Sequence, residues 1–298
     1  MVYHIPVLLK ESINGLNINP EGIYIDLTFG GGGHSREIIK HLSSGQLFAF
    51  DQDKDAEKNL IDDNRFHFIR HNFRFLQNFL RYYGYNKVDG IIADLGVSSH
   101  HFNNAERGFS FRFNEELDMR MNKDADFKAS DLLNNYSEEK LLFLFRNYGE
   151  LKNSKKIAKS IIEYRKNIKI NTGNELKEAI QNHIPKNQEN KYLAKVFQAL
   201  RIEVNNEIEA LKEMLPQTIN ILKSGGRLVV LAYHSIEDRL VKNFIRAGNF
   251  EGLIEKDFYG NVKTPFIQIN RKVIIANNNE IEINNRARSA KLRIAERK

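Results

Sequence analysis

The stretch that decides the fold is Ile23-Tyr24-Ile25-Asp26-Leu27-Thr28-Phe29-Gly30-Gly31-Gly32-Gly33-His34. Residues 23–27 form a short run rich in β-branched and aromatic side chains, which predicts a buried strand. Four glycines follow, and the apolar spacing of Ile38, Ile39 and Leu42 then predicts a helix. A strand, a glycine turn and a helix in succession bring bare backbone close to a ligand in open parallel sheets.

Two acids indicate the kind of ligand. Asp26 lies at the end of the first predicted strand, and Asp26-x-Thr28-x-Gly30-x-Gly32 is similar to the glycine-rich pattern of S-adenosylmethionine-dependent methyltransferases. A dinucleotide fingerprint would need a third glycine at the position of Ser35. Asp51 follows the next predicted strand, where an acid can bind a ribose hydroxyl. A plain tight turn would explain the glycines alone, but the two acids favour a nucleoside cofactor.

The rest of the chain predicts a doubly wound α/β sheet of the Rossmann-like kind, interrupted by helices. Further strands are expected at Phe66–Ile69, Val88–Leu95 and Arg227–Ala232, and an antiparallel pair at Pro265–Ile275 and Ala290–Ala295 can close the sheet. Between residues 105 and 205 the pattern is helical without a convincing strand. We therefore expect a discontinuous domain of residues 1–104 and 206–298 with an inserted helical domain, 105–205, for substrate recognition.

Composition limits the functional classes. The 298 residues include no cysteine, which excludes disulfides and thiolate metal sites. No basic-then-apolar leader is evident, and no apolar run approaches the roughly 20 residues that span a bilayer. We expect a cytosolic protein without a membrane partner. The formal charge of +7 favours a polyanionic partner, although a lysine-rich proteome would also produce it.

Asp94 is the candidate catalytic residue. It ends the strand predicted at Val88–Leu95, and ligands of open α/β sheets bind at such strand ends. A carboxylate beside a methyl donor can orient an exocyclic amine and accept its hydrogen bond. The alternative is a structural acid that binds the amides of the following loop.

The loop after Asp94 alternates arginines with aromatic residues over Glu106–Phe113. This combination suits single-stranded RNA, whose bases stack on rings while guanidinium groups meet phosphate. The phenylalanines would serve equally well as core residues beneath the inserted domain. The neighbouring His100 and His101 have no third ligand at a suitable spacing, so we predict no metal site.

The segment His234–Arg239 does not indicate a hydrolase, because no Gly-x-Ser-x-Gly turn accompanies it. The spacing Ser235-x-x-Asp238 predicts a helix cap that leaves His234 and Arg239 facing the cleft. Two basic clusters are solvated faces or phosphate-contacting surfaces: Lys152, Lys155, Lys156 and Lys159, and Arg286, Arg288, Lys291 and Arg293.

Several blocks together resemble one family closely. They are His4–Glu11, Asp26–Arg36, Asp94–Ser99, Glu106–Phe111, Leu117–Met121, His234–Arg239 and Arg286–Arg293. The chain resembles the family of ribosomal RNA small subunit methyltransferase H, also called MraW, from its first residues to its tail. This resemblance implies transfer of a methyl group from S-adenosylmethionine to N4 of a cytidine in the decoding region of small-subunit ribosomal RNA.

The resemblance also implies the residues that contact the cofactor. They are Gly32, Gly33 and His34 in the glycine loop, Asp51, Phe73 and Asp94 after successive strands, and His101 beyond them. The family commonly has Ser-Ser-Pro-Gln where this chain has Ser98-Ser99-His100-His101. At these positions the chain therefore departs from the family, with the proline missing and an imidazole in place of an amide at His101.

Three other functions compete with this one. A non-catalytic methyltransferase-like protein could bind RNA, but it would have no need of the glycine loop and both strand-end acids. Ser35 and the position of Asp26 disfavour a nicotinamide dehydrogenase. A DNA cytosine-N4 methyltransferase should carry a Pro-Pro motif after Asp94, where this chain has Leu-Gly-Val.

Overall fold

A computed structural model describes residues 6–97, 102 and 104–298. The chain forms two compact units, one up to Gly96 together with Ile208–Lys298, the other Val97–Glu207. Substrate recognition by the inserted domain, expected for residues 105–205, stays a prediction. Among the described residues, no helix combines the length and apolar character that a bilayer span requires.

The first unit is built on one seven-stranded sheet. Its strands are β1 Ile23–Asp26, β2 Gln46–Phe50, β3 Phe66–Ile69, β4 Val88–Asp94, β5 Leu222–Ala232, β6 Phe266–Gln268 and β7 Lys291–Arg297. Their order is β3-β2-β1-β4-β5-β7-β6, with β1 to β5 parallel and β7 antiparallel to both of its neighbours. The predicted α/β fold is confirmed, including the closing antiparallel pair.

Eleven α-helices can be numbered along the described chain. They are α1 Leu9–Leu16, α2 Gly33–His41, α3 Leu76–Tyr82, α4 Ala129–Asn135, α5 Glu138–Asn147, α6 Ser154–Tyr164, α7 Gly173–Ile180, α8 Glu189–Val204, α9 Glu207–Ile221, α10 Ser235–Ala247 and α11 Asn278–Ile283. A 3₁₀ helix, Lys54–Asn59, follows β2.

The central strands are apolar because both faces of the sheet are covered. On β1, Ile25 belongs to one core cluster while its neighbour Tyr24 belongs to another, as alternating side chains on a strand require. Both are almost completely buried. Opposing helices therefore account for the uninterrupted apolar runs that predicted these strands.

Residues 224–226 lie in a bulge within β5, which begins five residues before the strand expected at Arg227–Ala232. Val88 pairs with Leu222, but Gly90 pairs with Arg227, so β5 has extra residues opposite β4. Gly225 has φ 80°, a left-handed conformation that glycine adopts at little cost. The bulge lies at the beginning of the strand, away from the carboxyl ends.

The second unit, Val97–Glu207, has its own helical core. Fully buried members from different helices include Leu141, Phe145, Ile157 and Val196. A capping box begins α7, because the Thr172 hydroxyl accepts from Glu175 N–H and the Glu175 carboxylate accepts from Thr172 N–H.

For part of the arginine–aromatic loop Glu106–Phe113, the structure supports the alternative of core residues. Arg107 is buried and donates to the carbonyl groups of Arg120 and Met121. Phe109 is buried, and the Phe111 ring lies 5.7 Å from that of Phe197. Burial of the rings and internal hydrogen bonds of the guanidinium give this part of the loop a structural role.

The N-cap of α10 was predicted at Ser235 and lies one residue earlier, so this prediction is wrong by one residue. The helix begins at Ser235, and its N-cap is His234, whose Nδ1 accepts from Glu237 N–H at 3.4 Å. His234 is buried, so it does not face an open cleft as predicted. The Asp238 carboxylate instead binds Arg293 and Lys291 of β7, at 2.7 and 3.2 Å.

Candidate active site at the carboxyl ends of the strands

The glycine run turns β1 into α2 without a side-chain cap. Gly30 and Gly32 have positive φ angles of 50° and 75°, and α2 begins at Gly33. A Cβ on Gly33 would lie 2.1 Å from Cγ of Pro6, so this glycine allows the N-terminal segment to cover the start of the helix. An uncapped helix N-terminus offers backbone N–H groups to an anion such as a carboxylate.

Hydrogen bonds to the Asp26 carboxylate hold the glycine loop in place. This carboxylate accepts hydrogen bonds from Thr28 N–H at 3.0 Å and from the Ser35 hydroxyl at 2.7 Å. Burial raises the pKa of Asp26, and the nearby His34 opposes that rise. Asp26 is almost completely inaccessible, so it supports the site and does not touch a ligand.

Asp51 ties the end of β2 to the same loop. One carboxylate oxygen accepts from Gly30 N–H at 2.7 Å and the other from Asp53 N–H at 2.8 Å. Burial raises the pKa of Asp51 to about 6, although both backbone hydrogen bonds lower it. Each oxygen retains acceptor capacity, which is what a ribose hydroxyl requires.

Asp94 ends β4, the strand beside β1 at the point where the strand order reverses. Its Oδ1 accepts from the Tyr233 hydroxyl at 2.7 Å, and its N–H donates to the Thr28 hydroxyl at 2.7 Å. Among residues 6–97, 102 and 104–298, no donor hydrogen-bonds Oδ2, and a quarter of the side chain is exposed. The described residues therefore leave one carboxylate oxygen of Asp94 available to a donor. The alternative, a structural acid that binds amides of the following loop, concerns residues outside the described ranges.

The surroundings of Asp94 bring the pKa of its carboxyl group close to neutral pH. Burial raises the pKa of Asp94 to about 7; the Tyr233 hydroxyl lowers it and Glu237 raises it further. Burial, together with Asp94, also raises the pKa of Tyr233 well above its usual value, so this phenol remains a donor. Near pH 7, Asp94 can therefore accept or release a proton.

His34 links the loop to the catalytic edge. Its Nδ1 lies 3.9 Å from Oδ2 of Asp94, and burial lowers its pKa while Asp26 opposes the shift. Its buried Nε2 has no hydrogen-bond partner among the described residues. A neutral imidazole with an unpaired nitrogen fits a site that a polar ligand completes.

The structure brings most of the predicted site residues to one edge of the sheet. Gly32, Gly33 and His34 lie after β1, Asp51 after β2 and Asp94 at the end of β4. Phe73 begins the short 3₁₀ helix after β3, and its half-buried ring packs against the sheet core. His101 lies outside the described residues.

Sequence reasoning gave no role to Thr28 or Tyr233. Thr28 falls within the pattern Asp26-x-Thr28, and Tyr233 follows β5 directly. Their hydroxyls hold the backbone and the carboxylate of Asp94. Their positions at strand ends could have indicated that they belong to the site. Only the pairing of β4 with both β1 and β5 shows that their hydroxyls reach Asp94.

A doubly wound sheet with an antiparallel closing strand, a glycine loop at β1 and acids at three strand ends defines the class of S-adenosylmethionine-dependent methyltransferases. The sequence model of the MraW methylase family matches residues 1–298, and the chain belongs to this family.

Two relatives are each called ribosomal RNA small subunit methyltransferase H. The Phocaeicola vulgatus protein is 59% identical over 298 residues, which cover 100% of this chain and 98% of that protein. The Bacteroides thetaiotaomicron protein is 58% identical over 299 residues, with the same coverage.

Two solved structures show distant similarity to this chain. An rRNA methylase from Streptococcus thermophilus has a TM-score of 0.42 and 13% identity, covering 100% of this chain and 98% of that one. A methyltransferase-like Streptococcus mutans protein solved with SAH has a TM-score of 0.41 and 13% identity, covering 100% of both chains. The family assignment rests on the sequence match.

Proposed function

We propose that this enzyme methylates N4 of a cytidine in the decoding region of small-subunit ribosomal RNA. The names of relatives nearly 60% identical over the whole chain support ribosomal RNA as substrate. The base, the atom and the region come from the resemblance described above. Asp94 carries the chemical argument, because Tyr233 donates to one of its oxygens, while no donor in the described part of the chain binds the other, which can accept from an exocyclic amine. Such a substrate would place the enzyme in the bacterial cytosol.

The glycine loop and the strand-end acids Asp51 and Asp94 are proposed to hold the cofactor. The N-terminal amides of α2, at Gly33 and His34, suit the carboxylate of its methionine part. Asp51 suits the ribose hydroxyls. The ring of Phe73 is engaged in the core, so we assign its cofactor contact to the backbone. His101 stays a prediction from the resemblance.

Bound S-adenosylmethionine supplies a methyl group that its sulfonium already activates. Asp94 then has to position the acceptor, whose N4 lone pair is delocalised into the cytosine ring. With Oδ2 as hydrogen-bond acceptor, the carboxylate holds the amine in line with the methyl group, at about 3–3.5 Å in a productive geometry. As the N–C bond forms, the methyl–sulfur bond would break and S-adenosylhomocysteine would leave as a neutral thioether, while Asp94 would receive the proton that N4 loses and pass it to water. The base has to leave its stack to reach this edge of the sheet.

The proposal is tested by transfer of labelled methyl groups to three acceptors. They are small ribosomal subunits from a strain that lacks this modification, the protein-free RNA of those subunits, and duplex DNA. We expect label on a cytidine N4 of the ribosomal RNA. Label on DNA alone would contradict the proposal. Cofactor binding without transfer to any acceptor would favour the non-catalytic RNA-binding alternative.

Asp94→Asn is expected to lower methyl transfer by about two orders of magnitude, since the amide retains the size of the side chain but is a weaker acceptor and cannot take a proton. The matched control is Asp89→Asn, which alters an acid at the opposite end of β4 that binds Lys223. Urea unfolding checks that both variants are folded. Wild-type turnover in folded Asp94→Asn would remove Asp94 from the mechanism.

A further inference from the structure

The structure separates the two basic clusters of the chain. In the C-terminal cluster, Arg293 and Lys291 bind the Asp238 carboxylate, and Arg293 is only 14% exposed. A buried Nη1 atom shows that Arg286 is also partly inside the protein. Lys291 and Arg293 thus contribute to the packing of β7 against α10, which makes these two cations poor candidates for binding another molecule.

The lysines of the second unit are arranged differently. The cluster Lys152, Lys155, Lys156 and Lys159, here called the lysine face, is exposed throughout. Lys155, Lys156 and Lys159 follow Lys152 by three, four and seven residues. At helical spacing, this places all four on one side of α6 and of the short segment that precedes it. Within the described ranges, none of these ammonium groups has an ion pair or a side-chain hydrogen bond.

The opposite side of α6 holds the lysine face in place. Ile157 and Ile161 are completely buried in the core of the second unit. The Asn153 amide donates to the His183 carbonyl at 2.9 Å, and the Ser160 hydroxyl lies 2.8 Å from Nε2 of His183. The face is therefore presented by an anchored helix.

The lysine face is electrostatically uncompensated. Lys155 and Lys159 are four residues apart, as are Lys152 and Lys156, and like charges at this spacing destabilise a helix. The nearest acid along the helix, Glu163, is bound by Lys166 at 2.6 Å. A polyanion at this surface would relieve the repulsion and release its own counterions.

We propose that the lysine face binds the phosphate backbone of the RNA substrate. This inference rests on the proposed function and extends it by naming where the second unit holds RNA. Four compact ammonium groups along about 10 Å of helix suit a chain of phosphates and carry no base specificity. The lysine face positions the RNA, and the surroundings of Asp94 select the base.

The test compares two variants that remove the same charge. One is Lys152→Gln/Lys155→Gln/Lys156→Gln/Lys159→Gln. The control is Lys54→Gln/Lys256→Gln/Lys263→Gln/Lys272→Gln, which neutralises four exposed lysines of the first unit. Binding of protein-free small-subunit ribosomal RNA is measured over a range of KCl concentrations. Cofactor affinity and the thermal midpoint are measured alongside.

We expect the lysine-face variant to bind RNA at least tenfold more weakly at 0.1 M salt. The slope of log affinity against log salt should become shallower by about 3, since each lost phosphate contact on single-stranded RNA contributes about 0.7. The control variant should retain nearly the full slope. Both should bind the cofactor normally, and the lysine-face variant should unfold no earlier than wild type.

Equal slopes for the two variants would overturn the lysine face as an RNA site and leave the proposed function intact if wild type still methylates ribosomal RNA. Failure of wild type to bind the protein-free RNA would overturn the inference alone, whereas failure to methylate small-subunit ribosomal RNA both in subunits and free of protein would overturn both. Loss of methyl transfer with unchanged RNA binding would also contradict the inference, because the lysine face touches no reacting atom.

Discussion

At the scale of single residues, the hydroxyl of Tyr233 decides how Asp94 behaves. It donates to Oδ1 at 2.7 Å, and this hydrogen bond opposes the rise that burial causes in the pKa of Asp94. The ionised form of Asp94 is the form that accepts an amine hydrogen bond. The catalytic efficiency should therefore increase with pH through a midpoint near the carboxyl pKa of about 7.

Tyr233→Phe is expected to move this midpoint upward by about one pH unit. The reason is that a hydrogen bond to a charged group is worth roughly 1.5–3 kcal/mol, and its loss favours the protonated acid. The measurement is kcat/KM against pH for wild type and variant. Activity lost by the variant near pH 7 should recover above pH 8. A midpoint that stays in place, with a lower rate at every pH, would show that Tyr233 has only a packing role.

The residue scale is also where sequence reasoning stops. The four glycines and three strand-end acids could be recognised because turns and strand ends have local patterns. The partner of Asp94 could not, since Tyr233 is far along the chain and meets it only through the pairing of β4 with β5. Arg107 and Phe109 have the composition of an RNA-binding loop, but their burial depends on contacts that no local pattern reports.

At the scale of elements, the contact of α10 with β7 depends on one carboxylate. Asp238 is 14% exposed and binds two cations of β7. Burial would raise the pKa of Asp238, but Arg293 and Lys291 outweigh this effect and lower it. The ion pair therefore contributes stability at neutral pH, and that contribution is lost as the pH falls through the lowered pKa.

Asp238→Asn is expected to lower the free energy of unfolding by about 2 kcal/mol at pH 7, because it leaves the largely buried Arg293 without its countercharge. The control is Glu209→Gln, which breaks an exposed pair with Lys212 and should cost less than about 0.5 kcal/mol. Urea unfolding at pH 7 and at pH 3 measures both. A difference for Asp238→Asn that does not shrink at pH 3 would contradict the assigned ion pair.

At the scale of the whole molecule, every described residue proposed to contact the cofactor lies in the first unit. The helical core of the second unit contributes none of them. The sequence predicted this division because helical periodicity replaces the alternation of strands and helices along the chain. It could not supply the sheet order, since the closing position of β7 depends on pairing over long range.

S-adenosylmethionine is therefore expected to slow hydrogen exchange mainly in the first unit. Protection should concentrate on residues 26–36 and on the backbone near Asp51 and Asp94, because ligand binding to the native state suppresses local opening. Exchange in α4 to α8 should change little. Hydrogen-exchange mass spectrometry with and without the cofactor gives this map. Equal protection in both units would contradict a cofactor site confined to the first.

The position of β7 also has a consequence for biosynthesis. This strand fills the place between β5 and β6, yet it is made after both of them. While the chain is being translated, one edge of β5 has no hydrogen-bonded neighbour, and an open apolar edge invites pairing with another polypeptide. A nascent chain stalled before residue 291 should consequently be a strong client for chaperones. The sheet of an enzyme proposed to act on ribosomes would thus be completed only when β7 emerges from the ribosome that synthesises it.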